Sequence, residues 1–109
     1  MNSQKPKGLQ IRHKFNAVRT ECGGISFPSK AEARYYEELK LRQKAGQVLF
    51  FLRQVPIDFP GGKYVVDFLE FWQDGTVHFV EVKGFETPQF KTKRAIVESL
   101  YPFKLEMIK

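Results

Sequence analysis

The spacing of hydrophobic and polar positions changes several times along the chain, and each change marks an element. Residues 15–27 alternate loosely (Phe15, Ala17, then Ile25 and Phe27) around Cys22-Gly23-Gly24, which predicts a short hairpin. Ser29-Lys30-Ala31-Glu32 is a capping-box pattern; the helix it opens runs to about Ala45, with Gly46 as its stop. Glu32, Tyr35, Tyr36 and Leu39 recur at helical spacing and share one face of that helix. Residues 48–59 are rich in Val, Phe, Leu and Ile and read as a strand, with Pro56 marking an edge-like or irregular position. Pro60-Gly61-Gly62 turns the chain, and residues 64–72 and 76–83 form strands on either side of Asp74-Gly75. Thr87-Pro88 opens a second helix with proline in its first turn, Tyr101-Pro102 closes it, and residues 103–108 form a last strand. Helix, three strands, helix, strand is an α/β order: a mixed β-sheet flanked by helices, preceded by the N-terminal hairpin.

The central hairpin admits two registers. A two-residue Asp74-Gly75 turn pairs Gln73 with Thr76, whereas a three-residue loop with Gly75 left-handed pairs Trp72 with Thr76. One residue of slip turns every side chain of one strand to the other face. The three-residue loop sets Phe71 against Val77, Leu69 against Phe79, Phe68 against Val80, Val66 against Val82, and Glu70 against His78 as a complementary pair. The shorter loop sets Glu70 against Phe79 and Phe68 against Glu81. Cross-strand pairing favours like apolar groups and opposite charges, so the three-residue loop is expected.

That register creates a conflict. It puts Asp67 opposite Glu81 on one face, with Lys83 two residues beyond Glu81 on the same face. Like charges facing one another destabilise a sheet, and Val65, Leu69 and Phe79 around them limit solvation on strands expected to be buried on both faces. Two such carboxylates need a cation or a shared proton. A hard divalent cation, Mg²⁺ or Mn²⁺ rather than zinc, suits carboxylate and carbonyl oxygens. Glu32, on the core side of the first helix, is either the acid of the capping box, a neighbour of this site, or both.

Composition narrows the setting. The chain has 109 residues, 42% of them hydrophobic and eleven of them Phe, enough for one folded domain and against wholesale disorder. Charges interrupt every apolar run short of the ~18 residues of a membrane span, residues 1–8 have no apolar signal region, and no membrane partner is expected. A single cysteine, Cys22, excludes an internal disulfide or a cysteine zinc site and fits a reducing, cytoplasmic setting. The net charge of +6 is concentrated early: Lys5, Lys7, Arg12, Lys14 and Arg19 precede the first acid. Residues 1–14 therefore read as a basic arm, solvated or gripping phosphate, ahead of a single domain over 15–109.

Asp67, followed on the next strand by Glu81-Val82-Lys83, resembles the D…(D/E)-x-K signature of the PD-(D/E)XK nuclease superfamily. The helix carrying Glu32, in Phe27-Pro-Ser-Lys-Ala-Glu-Ala-Arg-Tyr35, is similar to small phage and prophage nucleases of Holliday-junction-resolvase type. The likeness covers roughly residues 14–108, and the element order matches the restriction-endonuclease-like core. Val66 stands where the signature has proline.

The resemblance implies metal-dependent hydrolysis of DNA phosphodiesters, probing branched DNA such as a Holliday junction, by a homodimer in a bacterial cytoplasm, with a phage or prophage origin. It implies Mg²⁺ (or Mn²⁺) held by Asp67, Glu81, the Val82 carbonyl and Glu32, with Lys83 orienting water and balancing charge on phosphorus. Asp67, Glu81, Lys83 and Glu32 are thus the expected catalytic set. Gln89, Lys91, Lys93 and Arg94 on the second helix, with Lys14, are candidate DNA contacts; as solvated surface residues they would need no such role. Two other functions fit the same residues: a nicking or transposon-end nuclease subunit of a larger complex, and a non-catalytic nucleic-acid-binding module. Either the exposed hydrophobics at the end of residues 48–59 or the N-terminal hairpin is expected to supply a dimer interface.

Overall fold

The computed structural model describes residues 20–22 and 24–109. The basic arm with Lys14, and Phe15 and Ala17 of the expected hairpin, lie outside the described residues. Strands β1 (Thr20–Cys22) and β2 (Ile25–Phe27) pair antiparallel. Helix α1 (Lys30–Lys44) follows, then β3 (Val48–Phe59), β4 (Gly62–Trp72), β5 (Val77–Val82), α2 (Pro88–Leu100) and β6 (Leu105–Ile108). The larger sheet has the order β3-β4-β5-β6, with β5 and β6 parallel and the other pairs antiparallel, so it is a mixed sheet with flanking helices.

Local chemistry sets the element ends. Ser29 caps α1, its hydroxyl accepting from the Glu32 N–H at 3.1 Å, and Gly46 (φ 85°) ends the helix in the left-handed conformation that glycine adopts without a Cβ clash. Thr87 caps α2 by accepting from the Phe90 N–H at 3.1 Å, with Pro88 in the first turn, where the missing donor costs nothing. In the β4–β5 turn the Trp72 N–H donates to the Thr76 carbonyl at 2.9 Å and Gly75 has φ 89°. This is the three-residue loop, and the ladder pairs Phe71 with Val77, Glu70 with His78, Leu69 with Phe79 and Phe68 with Val80.

Two apolar clusters cover the two faces of the sheet. Phe27, Tyr35, Leu39, Val48, Phe68, Val80 and Val82 pack together on the α1 side. Tyr64, Val66, Phe90, Val97 and Leu105 pack on the α2 side. Each fully buried large apolar side chain among them contributes about 1.5–3 kcal/mol. Neighbours on β5 divide between the two, Val80 joining the first cluster and Phe79 the second, as strand alternation requires.

On β4 that alternation breaks. Val66 and Phe68 are two residues apart, yet Val66 belongs to the α2 cluster and Phe68 to the α1 cluster. The residue between them is Asp67. On β3, Arg53 pairs with Phe68 and Val55 with Val66, so the residue across from the switch is Gln54, with φ 53°. Gln54 is the one non-glycine residue of positive φ among the described residues. Both strands therefore change face at the same level of the sheet.

This switch corrects two expectations. The β4–β5 ladder ends at Phe68–Val80, so Val66 does not oppose Val82, and Asp67 and Glu81 are joined by side chains rather than by ladder pairing. The central strands are also not buried on both faces throughout: Val65 is 43% and Val77 47% exposed. Edge strand β3 carries Pro56 within its pairing to Val65, consistent with an edge position.

Candidate active site

Where β4 and β5 separate, backbone donors would lose their ladder partners. Two carboxylates replace them. The Val82 N–H donates to Asp67 Oδ2 at 3.0 Å, and the Asp67 N–H donates to Glu81 Oε1 at 3.4 Å. Tyr64, from the start of β4, donates its hydroxyl to the same Glu81 oxygen at 3.0 Å. Asp67 is 8% and Glu81 4% exposed, so the pair sits largely out of water.

Burial pushes the Glu81 carboxyl up to about 8, and the charge of Asp67 beside it adds to the rise. The Tyr64 hydrogen bond and the Lys83 charge pull in the other direction, and a hydrogen bond with the Asp67 side chain pushes up again. At neutral pH the protonated form of Glu81 is favoured, which is the shared-proton solution to the like-charge conflict. Burial, followed by the charge of Glu81, likewise raises the Tyr64 phenol well above its ordinary range, so Tyr64 remains a donor.

Glu32 completes a line of acids. It is 3% exposed, in the first turn of α1, and its backbone N–H serves the Ser29 cap. Its Oε2 accepts from Gln54 Nε2 at 3.0 Å and lies 3.8 Å from an Arg53 guanidinium nitrogen. The same Gln54 nitrogen donates to Asp67 Oδ1 at 3.2 Å. Arg53 stacks over Phe27, 4.2 Å from the ring centroid, and its Nε is buried with no hydrogen-bond partner. Among the described residues no three His, Cys, Asp or Glu side chains form a preassembled metal cage. Glu32 reaches the Asp67–Glu81 pair through the Gln54 amide.

Lys83, one residue beyond β5, is half-buried, with Nζ 4.9 Å from the centroid of Phe90 in the first turn of α2. The α2 N-terminus is thereby brought beside the site. Gln89, Lys91 and Lys93 are exposed on this helix. Arg94, expected as a phosphate contact, is instead half-buried between Glu86 at 3.6 Å and Glu98 at 3.5 Å. Its guanidinium is thus held between two acids. Lys14 lies outside the described residues.

Three residues of the site escape a reading of the sequence: Gln54, Tyr64 and Arg53. The available signal was Arg53-Gln54 itself, a polar pair interrupting an apolar strand. The expected Glu70–His78 pair also needs correction. The two are cross-strand neighbours, but buried Glu70 accepts from the Tyr35 hydroxyl at 2.6 Å and the Trp72 indole N–H at 2.9 Å. His78 Nδ1 pairs with Glu106 at 2.5 Å and its Nε2 with the Thr76 hydroxyl at 2.9 Å. A cavity of about 610 Å³ opens here, lined by Tyr35, Arg42, Glu70, Trp72, His78 and Glu106 among others. It is separate from Asp67, Glu81 and Lys83, none of which lines it. The buried Asp67–Glu81 pair lies apart from this cavity, at the strand divergence.

A family described as "Protein of unknown function (DUF1064)" matches residues 12–109. No curated protein and no solved structure matches the chain.

Proposed function

The chain belongs to the DUF1064 family, and from its own acid pair we propose that it is a metal-dependent DNA endonuclease of the PD-(D/E)XK type. The observation that carries this reading is the Asp67–Glu81 pair, buried where β4 and β5 part, with Lys83 on the same strand end. A purely structural ion-pair cluster would balance its charges. This one leaves two carboxylates together with Glu81 raised to about 8, and perturbed acids of that kind mark functional sites.

The donor set is all oxygen: Asp67, Glu81, the Val82 carbonyl and, from α1, Glu32. Such donors fit Mg²⁺ or Mn²⁺. Held there, the cation would supply Lewis-acid polarisation of a phosphoryl oxygen and an acidified water. The chain's own contribution is positional. Val82 N–H fixes one Asp67 oxygen, leaving Oδ1 directed toward Gln54 and Glu32. Tyr64 orients Glu81. Lys83 adds fixed positive charge where negative charge grows on phosphorus. Its ammonium is held over Phe90 in the first turn of α2, the helix whose exposed Gln89, Lys91 and Lys93 are the proposed contacts to a DNA backbone.

No groove-reading element accompanies the site among the described residues, so contacts to backbone and shape are the expected mode of recognition. Branched DNA is the proposed substrate, and two symmetric cuts in a four-way junction ask for a homodimer. The test is cleavage of a labelled four-way junction and a matching linear duplex with Mg²⁺, Mn²⁺ or EDTA, by wild type and Lys83→Ala. Paired, metal-dependent cuts confined to the junction and lost in the variant support the proposal. Cutting of both substrates keeps the nuclease and removes the junction preference. Cutting of neither by folded protein overturns the enzyme reading.

A further inference from the structure

Gln54 combines three features that separate it from every other residue of β3. Its φ of 53° lies in the left-handed region, inside a twelve-residue strand where neighbours are extended. For a non-glycine residue this costs of the order of 1–3 kcal/mol and persists only where surrounding contacts enforce it. Its side-chain nitrogen donates to two carboxylates from different elements, Glu32 on α1 and Asp67 on β4. Both partners are carboxylate oxygens, so only the amide nitrogen can face them. And it stands at the level where both strands change face.

The oxygens it occupies matter. Asp67 Oδ2 accepts from the Val82 N–H, and Oδ1, on the side facing Glu32, is held by Gln54 at 3.2 Å. Glu32 reaches the group through Oε2, and Gln54 holds that at 3.0 Å. A neutral amide thus lies between two acids, at the place a cation bridging them would take.

We propose that Gln54 is an internal stand-in for the cation: its amide bridges Glu32 and Asp67 in the resting site and is displaced when a divalent metal binds. This inference rests on the metal-site reading given above. The left-handed backbone aims the amide at the acids, and releasing it relieves the arrangement that holds the side chain there. Gln54 is a positioning residue, acting through the carboxylates and gating their availability. Its removal opens Asp67 Oδ1 and takes the amide off Glu32 Oε2, which still faces Arg53 at 3.8 Å. Because hydrogen bonds to charged groups must be surrendered on binding, losing them tightens metal affinity by about tenfold.

The test is Mn²⁺ titration by calorimetry on the full chain, comparing wild type, Gln54→Gly, Gln54→Asn and Asp67→Asn, with no DNA present. Gln54→Gly accepts positive φ without strain, and Gln54→Asn keeps an amide one methylene too short to bridge. Both variants should bind Mn²⁺ about tenfold more tightly than wild type, and Asp67→Asn should lose binding. In parallel, Mg²⁺ added to ¹⁵N-labelled wild type should move the Gln54 side-chain amide resonances to solvent-exposed positions. Unchanged or weaker Mn²⁺ binding in both Gln54 variants, with wild type still binding, overturns the stand-in while leaving the metal site intact. An unmoved Gln54 amide at saturating Mg²⁺ does the same. Absence of Mn²⁺ binding in folded wild type and both Gln54 variants overturns the metal reading itself.

Discussion

Asp67 and Glu81 meet where the β4–β5 ladder ends, the Asp67 N–H donating to Glu81 Oε1 at 3.4 Å. Asp67 in turn accepts from the N–H of Val82, the residue after Glu81. Each strand thus offers a carboxylate to the other's backbone. The arrangement satisfies buried donors while bringing two acids together, which links the break in the sheet to the chemistry proposed for it.

Glu81 makes stability depend on pH. Its carboxyl titrates near 4.5 ordinarily and at about 8 in the fold, where burial favours the neutral form. Below pH 4.5 both states are protonated and the group contributes no difference. Between 4.5 and 8 the folded chain holds a proton that the unfolded chain has lost, so stability falls as pH rises. Thermal unfolding of metal-free protein should show Tm declining across this window, and Glu81→Gln should flatten the decline.

Asp67→Asn should separate stability from activity. Burial raises Glu81 most and the Asp67 charge adds to it, so removing that charge should make the decline of Tm between pH 4.5 and 8 shallower than in wild type, while nuclease activity should fall by about a hundredfold or more. Parallel denaturation and cleavage assays check the pair of outcomes. A loss of both together would make Asp67 a structural residue.

Tyr64→Phe removes a donor to Glu81 while keeping the ring that packs against Phe90 at 5.9 Å. Because that hydrogen bond lowers the Glu81 value, its loss should move the Glu81 titration upward. Carbon-13 chemical shifts of the Glu81 carboxyl across pH report it directly. The accompanying stability cost should be about 1–3 kcal/mol by chemical denaturation.

The exposed apolar strip on β3 bears on assembly. Leu49, Phe50 and Leu52 are 59%, 46% and 47% exposed, and Phe50 stacks on Phe71 at 4.4 Å. If the proposed homodimer uses this edge, Phe50→Ser with Leu52→Ser should convert a dimer to a monomer by light scattering while the fold, read by circular dichroism, persists.

Much of this was legible in local chemistry. Ser29, Thr87 and Gly46 announced the helix ends, and Gly75 with the pairing of Leu69 to Phe79 fixed the register that brings Asp67 toward Glu81. What the sequence hid depends on elements distant in the chain. Gln54 becomes part of the site only because β3 turns left-handed opposite Asp67. Glu70 takes Tyr35 from α1 rather than His78, and His78 takes Glu106 from β6, because packing supplied closer partners than the hairpin did. The pairing of Arg94 with Glu86, which precedes the helix, was likewise not legible from helical spacing.

The most direct test of the central claim is anomalous diffraction from crystals of the wild-type chain soaked in Mn²⁺. The account predicts an anomalous peak bound by both Asp67 and Glu81, with the Gln54 amide turned away from Asp67 Oδ1. A well-ordered Asp67–Glu81 pair with no Mn²⁺ between its carboxylates, in crystals soaked above the concentration that supports cleavage, would contradict it.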